Sequence, residues 1–246
     1  GNSDYVDCGD VDIGTGAISV SCWAYVSSAG TDEGLVCKDH SNQRCFLLQT
    51  GSSESDELSW LVFEDNTTYI WKITTGDNFT ASVWHHVVAT SDGSGTMAIY
   101  IDGVSQTLTS TGSGDGTIQN TTSKLIVGAS GDGSSKFFNG KIDNVSIWDT
   151  ALSASNVSSL YSAGRGADAR TILSGLTSNL NLYYQFETEN LDSDGKAADL
   201  SGNGNLGTLA GTAAVSGNNH GVVTGGVDTF FQSGLQSGRD SQGMFE

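Results

Sequence analysis

The stretch Gly140-Lys-Ile-Asp-Asn-Val-Ser-Ile-Trp148 decides the fold, because apolar and polar residues alternate along it and Gly, Asn and Ser clusters flank it. Fragments of the same kind precede it in the chain: Asp4-Tyr5-Val6, Ile18-Ser-Val-Ser-Cys-Trp23, Trp84-His-His-Val-Val-Ala-Thr90, Ile99-Tyr-Ile-Asp-Gly103 and Leu125-Ile-Val-Gly128. Turn clusters such as Ser91-Asp-Gly-Ser-Gly95 separate them. Short strands of period two with regular turn signals are typical of a sandwich. The sequence therefore predicts an all-β, two-sheet antiparallel β-sandwich (jelly roll) with one short helix.

The amino-acid composition excludes some classes of binding partner. The 246 residues include 28 acidic and 10 basic ones, which gives a formal net charge of -18. Phosphate binding needs a cationic face, so no nucleic-acid partner is expected. There is no window of 18 apolar residues, and no membrane insertion is expected. The 33 glycines and the absence of proline indicate many tight turns.

Helical signals are confined to one region. Ser153 is a good N-cap, Val157, Leu160 and Tyr161 follow at helical spacing, and Gly164 is a stop signal. A second, weak helical patch covers 167–173. Residues from about 216 onward are rich in Gly, Ser, Asn and Gln and are interpreted as an arm that needs a partner.

The cysteines allow two interpretations. Cys8, Cys22, Cys37 and Cys45 are too few for a disulfide scaffold. One interpretation, made for Cys22 beside Trp23 in an apolar strand, is a small buried thiol. A disulfide that closes a hairpin between Cys37 and Cys45 is the other.

The ordered fragments resemble the concanavalin A-like, laminin G-like jelly-roll family of lectin and pentraxin-type modules. The best matches are Asp4-Tyr5-Val6, Trp84-His-His-Val-Val-Ala, Ile101-Asp-Gly103 and Phe138-Asn-Gly-Lys-Ile-Asp-Asn-Val-Ser-Ile-Trp148. The resemblance covers roughly 1–164, which defines a predicted laminin G-like domain.

One difference from the family concerns the order of the segments along the chain. Leu182-Tyr-Tyr-Gln-Phe186 and Asp199-Leu-Ser-Gly-Asn-Gly-Asn-Leu-Gly-Thr-Leu209 resemble segments that normally precede the Asp-Tyr-Val strand, yet here they come after it. Either the chain is circularly permuted and 165–215 completes the sandwich, or 180 onward opens another copy of the module. The sequence favours permutation, with 216–246 as a C-terminal arm.

The resemblance also implies a structural calcium site. Its candidate ligands are Asp199, Asn203 and Asn205 in the displaced turn, with Asp143 as a distant ligand, because Ca²⁺ prefers several carboxylate, amide and carbonyl oxygens. The alternative is that these residues only build Asx-turns.

Exposed aromatic rings are candidates for glycan binding, since sugars offer apolar C–H faces. Trp60, Tyr69 and Trp71 are the predicted platform, together with Tyr25; packing between strands is the alternative. Trp23, Trp84 and Trp148 match core positions of the family and are interpreted as structural.

No catalytic set is recognisable. Glu54-Ser-Asp-Glu57 has carboxylates at alternating positions but lies in a Gly/Ser-rich loop, and is interpreted as a solvated cluster. His85 and His86 are adjacent on a strand and should point to opposite faces.

We therefore predict a non-enzymatic surface, adhesion or structural module. Its composition resembles laminin G-like modules of bacteriophage fibre and capsid-decoration proteins, which implies a virion surface location, a homo-oligomer, and cell-surface glycans or other virion proteins as partners. The alternative is a secreted, extracellular bacterial carbohydrate-active enzyme or its carbohydrate-binding module.

Overall fold

The computed structural model describes residues 3–27, 30–51 and 56–215 and the strand at 222–223. These residues form two antiparallel sheets that pack face to face, which confirms the predicted all-β jelly roll. Strands and helices are numbered below in chain order.

Within the described residues, the first sheet contains eight strands. Their spatial order is β10 (Leu108–Gly112), β6 (Tyr69–Thr74), β5 (Leu58–Phe63), β4 (Gln43–Thr50), β3 (Gly34–His40), β11 (Leu125–Val127), β1 (Tyr5–Asp7) and β14 (Thr208–Ala210).

In the part of the chain that the structure describes, the second sheet also contains eight strands. Seven follow in the order β15 (Ala214–Val215), β16 (Val222–Val223), β12 (Gly140–Trp148), β2 (Ile18–Val26), β7 (Trp84–Ser91), β8 (Met97–Ile101) and β9 (Val104–Ser105). The eighth, β13 (Leu180–Tyr184), also pairs with β12.

Strand alternation places the core between the sheets. In β2, Val20, Cys22 and Ala24 are fully buried in the main core cluster, and the side chains between them point to the outer face. Burying one such aliphatic side chain contributes about 1.5–3 kcal/mol, so the alternation determines which face is inside. All four cysteines are free and buried, so Cys37 and Cys45 form no disulfide and the buried-thiol interpretation is confirmed.

A helical segment covers part of the outer face of the second sheet. The helix α1 (Ala154–Ala163) begins after the N-cap Ser153, whose side chain accepts a hydrogen bond from the Asn156 amide, and it ends at Gly164 as predicted. Val157 and Leu160 pack onto Val88 and Trp148 in a second cluster. A short helix α2 (Ala169–Ile172) and 3₁₀ turns at Ser174–Asn179 and Thr188–Asn190 follow. No helix in the described part of the chain is long and apolar enough to cross a membrane.

The late segment lies in the same sandwich as the N-terminal strand. In the second sheet β13 is antiparallel to β12, with Tyr184 opposite Val145. In the first sheet β14 is antiparallel to β1, with Leu209 opposite Val6. Residues 180–210 therefore add a strand to each sheet. Circular permutation itself, and the domain limits drawn from it, stay predictions, and most of the 216–246 arm lies outside the described residues.

Candidate functional site

The outer face of the first sheet carries a pair of half-buried aromatic rings. Tyr69 and Trp71 are two positions apart on β6, so both side chains leave the same face of the strand. They pack onto a bed of buried side chains from β3, β4 and β5: Cys37, Leu47, Leu61 and Phe63. The rings therefore rest on a firm apolar surface and keep part of their own surface in solvent.

Neighbouring strands hold these rings in place and surround them with polar groups. The indole Nε1 of Trp71 donates to Ser59 Oγ at 2.9 Å, which fixes the ring orientation. Across the sheet, Thr111 of β10 lies opposite Trp71 and is exposed. We call Tyr69, Trp71, Thr111 and Arg44 the aromatic platform.

Arg44 brings a cation to the platform. Its guanidinium carbon lies 4.2 Å from the centre of the Phe63 ring, and Nε donates to Asp39 Oδ1 at 2.8 Å. Tyr69 packs against the same Phe63 ring, with ring centres 5.5 Å apart. The guanidinium has donors beyond the one used by Asp39, and its side chain is 34% exposed. Sequence reasoning missed Arg44 and Thr111, because only the register between strands brings them to the rings.

Trp60 does not belong to this platform. It is 0% exposed in the core between the sheets, opposite Lys72 in the ladder, so its ring points away from the face that carries Trp71. Its indole Nε1 has no hydrogen-bond partner among the described residues. The glycan-binding role predicted for Trp60 is therefore wrong, and the packing alternative holds for this residue.

The outer face of the second sheet is covered where its aromatic residues lie. Tyr161 of α1 stacks on Trp23 with ring centres 5.9 Å apart, and the Arg165 guanidinium carbon lies 4.2 Å from the centre of the Trp84 ring. Trp148 is completely buried under the helices. Trp148 therefore lies at a buried position as predicted, whereas Trp23 and Trp84 are half-buried and pack against Tyr161 and Arg165.

The three predicted calcium ligands of the displaced turn do come together. Asp199 Oδ1 accepts the amide N–H groups of Tyr183 and Ser201, both at 3.0 Å. Its Oδ2 accepts from the amide N and Nδ2 of Asn205, at 3.0 and 3.2 Å. Asn203 Nδ2 donates to the backbone oxygens of Leu180 and Asn181, at 3.0 and 3.1 Å. We call this turn, 199–205, the Asp199 clasp, since it fastens the turn to β13.

Asp143 lies elsewhere and has another partner. It is fully buried in β12, and its Oδ2 accepts from Arg165 Nη1 at 2.7 Å. Burial raises the pKa of Asp143 to about 7, and the Arg165 charge opposes that increase. No hydrogen bond joins Asp143 to the clasp in the described part of the chain.

This arrangement does not fit a calcium site. A carboxylate has about four lone-pair positions, and four N–H donors already occupy those of Asp199. Among the described residues no group of three or more His, Cys, Asp or Glu side chains could hold a metal ion. Calcium binding stays a prediction that these contacts do not favour.

The two adjacent histidines point to opposite faces, as predicted. His86 Nε2 is 3.0 Å from Ser21 Oγ on the outer face, and burial lowers the pKa of His86 to about 4. His85 Nδ1 is 2.8 Å from Asp102 Oδ2, and its Nε2 accepts the Thr80 amide N–H at 3.2 Å. The second contact makes Nδ1 the protonated nitrogen, which donates to Asp102. The carboxylate cluster at Glu54 lies partly outside the described residues.

Comparison with sequence models of known families shows to which family the chain belongs. The sequence model of the concanavalin A-like lectin/glucanases superfamily matches residues 1–158. The chain belongs to this superfamily. Comparison with curated proteins yields no match.

Two solved structures illustrate the superfamily fold. A candidate carbohydrate-binding protein from Bacteroides ovatus is similar with a TM-score of 0.62 and 17% identity, over 85% of this chain and 56% of that one. A heptameric SAP-like pentraxin from Limulus polyphemus is similar with a TM-score of 0.50 and 14% identity, over 65% of this chain and 76% of that one. At these identities the likeness shows the fold alone. This chain spans little more than half of the Bacteroides ovatus protein.

Proposed function

We propose that this chain is a non-catalytic glycan-binding module whose binding surface is the aromatic platform. The observation that carries the proposal is the pairing of Tyr69 and Trp71 on one accessible face, fixed on a buried bed and bordered by Arg44 and Thr111. Aromatic faces are complementary to the C–H faces of sugars, and amphipathic rings with one polar end are common at binding surfaces. The superfamily, whose description names both lectins and glucanases, supports the recognition of carbohydrates, and the catalytic alternative is measured separately below.

We further propose that the module acts at a surface, either of a virion as a fibre or capsid-decoration protein, or of a secreted assembly, and that it forms a homo-oligomer. Support comes from composition: no proline, many Ser, Thr, Gly and Asn residues, and a net charge of -18 that favours solubility. Electron microscopy of particles labelled with an antibody to this chain would test the virion location; labelling absent from particle surfaces would contradict it.

Binding is tested with immobilised polysaccharides and a glycan array. Trp71→Ala should weaken binding about tenfold or more, which corresponds to about 1.4 kcal/mol for a lost stacking contact. Trp71→Phe keeps an aromatic face and should retain most of the affinity. Tyr161→Ala removes an exposed ring from the opposite side of the sandwich and is the matched control, expected to bind like the unmodified chain.

Two outcomes would contradict the proposal: no glycan bound by the unmodified chain, or equal binding by the Trp71→Ala and Tyr161→Ala variants. The enzymatic alternative has its own measurement. Incubation with the same polysaccharides should release no reducing ends, and sustained release by the unmodified chain would show that the module is catalytic.

A further inference from the structure

A groove opens beside the platform, at the edge of the sandwich where the chain crosses from β9 to β10. Its volume is about 340 Å³, near the lower limit of about 300 Å³ typical of small-molecule sites. It is lined by the loop after β6 and by the β8–β9 hairpin with its continuation: Thr75, Asn78, Ile101, Asp102, Val104, Ser105, Gln106 and Thr107.

One wall of the groove is held rigidly. Asp102 and Gly103 form a two-residue hairpin turn in which both φ angles are positive, at 52° and 78°. The Asp102 carboxylate accepts from His85 Nδ1 at 2.8 Å and from the His86 amide at 2.9 Å. Because both oxygens are engaged, Asp102 shapes the groove and is poorly placed to serve as a metal ligand or a base.

The other lining groups have hydrogen-bonding capacity to spare. Asn78 Nδ2 donates to Gln106 Oε1 at 2.8 Å, and Gln106 Nε2 donates to the Val104 carbonyl at 2.8 Å. Asn78 Oδ1 and the side-chain hydroxyls of Ser105 and Thr107 make no hydrogen bond within the described residues. Neutral amides and hydroxyls beside the 63% exposed Val104 suit a hydroxyl-rich neutral ligand. An anion would face the Asp102 carboxylate and a strongly acidic protein.

The groove continues the line of the aromatic platform. Tyr69, Trp71 and Ile73 occupy alternate positions of β6, and Thr75, at the next alternate position, lines the groove. The ladder with β10 extends to this point, since the Thr75 amide donates to the Thr107 carbonyl at 3.0 Å. Four residues of extended strand span about 13 Å, so a ligand that contacts both Trp71 and Thr75 must be longer than one sugar ring.

We propose that the groove is a second subsite for the same glycan, and that the ligand is a neutral oligosaccharide with one part stacked on the platform and the next part in the groove. This inference rests on the proposed function, because it takes the platform as the first subsite. It specifies the ligand class further: an extended neutral chain is favoured over a single sugar or an acidic glycan.

The test uses ladders of linear gluco-, manno-, galacto- and xylo-oligosaccharides from two to eight units, measured by isothermal titration calorimetry. For the unmodified chain, affinity should rise with length and then reach a plateau. Thr107→Val, which removes a hydroxyl at constant shape, and Asn78→Ala should each lower the affinity for the longest bound oligosaccharide about three- to tenfold. Both should leave the affinity for the shortest bound member unchanged.

Ser158→Ala is the matched control, because Ser158 is an exposed hydroxyl on α1. Thermal melting of each variant shows whether it folds. The second subsite would be overturned by an affinity that does not depend on oligosaccharide length. It would also be overturned if the groove variants weakened the binding of short and long oligosaccharides equally. In both cases, binding that depends on Trp71 would still support the platform. Binding that Trp71→Ala leaves intact would overturn the proposed function and this inference with it. No binding of any ladder member, together with Trp71-dependent binding of another glycan on the array, would overturn this inference alone.

Discussion

Replacing Asp199 with asparagine tests whether the turn at 199–205 is held together by hydrogen bonds to the Asp199 carboxylate. The carboxylate accepts four N–H groups, two on each oxygen, from Tyr183, Ser201 and Asn205. Asparagine at this position can keep the two bonds on one side. On the other side its own NH₂ group would face the two N–H groups of Asn205, so two donors would lose their acceptor.

The expected loss of folding stability follows from these contacts. A hydrogen bond to a charged group contributes about 1.5–3 kcal/mol when buried. Asp199 is half-buried, so water partly replaces the lost acceptor and the lower end of that range applies to each of the two bonds. A total of about 3 kcal/mol lowers the melting temperature of a domain of this size by about 6–12 °C.

Differential scanning calorimetry of Asp199→Asn and of Asp194→Asn measures this difference. Asp194 is exposed, and its carboxylate makes no hydrogen bond in the described part of the chain, so the control removes the same charge without the contacts. The control should melt within about 1 °C of the unmodified protein, as surface substitutions usually do. Equal melting of the two variants would refute the reasoning.

The same instrument tests the calcium prediction. If four N–H donors fill the Asp199 carboxylate, the melting temperature of the unmodified chain should be the same in chelator and in millimolar CaCl₂. An ion that binds only the folded state at 100 times its Kd would add about 2.7 kcal/mol of stability. A clear increase in melting temperature with calcium would show that the clasp opens to bind the ion.

Three further outcomes are expected. Trp60→Ala should destabilise the protein by about 3–5 kcal/mol in urea titrations, and Trp71→Ala by clearly less, because only the first leaves a cavity in the core; equal losses would contradict the assignment of faces. Burial raises the pKa of Asp143 from 3.8 to about 7, so the contribution of this residue to stability is present below pH 4 and is lost as the pH rises to 7. Burial lowers the pKa of His86 from 6.5 to about 4, so the contribution of His86 to stability is present above pH 6.5 and is lost as the pH falls to 4. Between pH 4 and 6.5, the melting temperature should rise with pH in Asp143→Asn and fall with pH in His86→Phe; slopes of the opposite sign would refute these shifts. The four buried cysteines should not react with Ellman's reagent at pH 8 until urea is added, since burial raises the pKa of Cys8 and Cys22 to about 12; rapid modification of any thiol in the native protein would contradict their burial.

Local signals predicted the parts of the fold that neighbouring residues control. Helix α1 begins after Ser153 and ends at Gly164, as predicted, because capping involves groups within one turn of each other. Strand alternation correctly separated Val20, Cys22 and Ala24 from their outward neighbours. The same local logic brought Asp199, Asn203 and Asn205 into one turn, since the last lies only six positions after the first.

Predictions that depended on how two strands pair were less successful. The sequence grouped Trp60 with Tyr69 and Trp71, yet Trp60 pairs with Lys72, and the register therefore places Trp60 on the inner face. A shift of one residue would have exchanged the faces, and alternation within a single strand contains no information about register. Arg44 and Thr111 reach the platform from other strands, which is why no local pattern indicated them.

The sequence by itself determined the fold class, the helix limits and the residues that share a face of a strand, because these depend on contacts between close neighbours in the chain. Tertiary structure alone decided which of those faces is buried, what fills the Asp199 carboxylate, and which side chains meet Trp71. The physical reason is that each of these outcomes depends on atoms from distant segments, such as the Tyr183 amide at Asp199, that meet only when the two sheets pack.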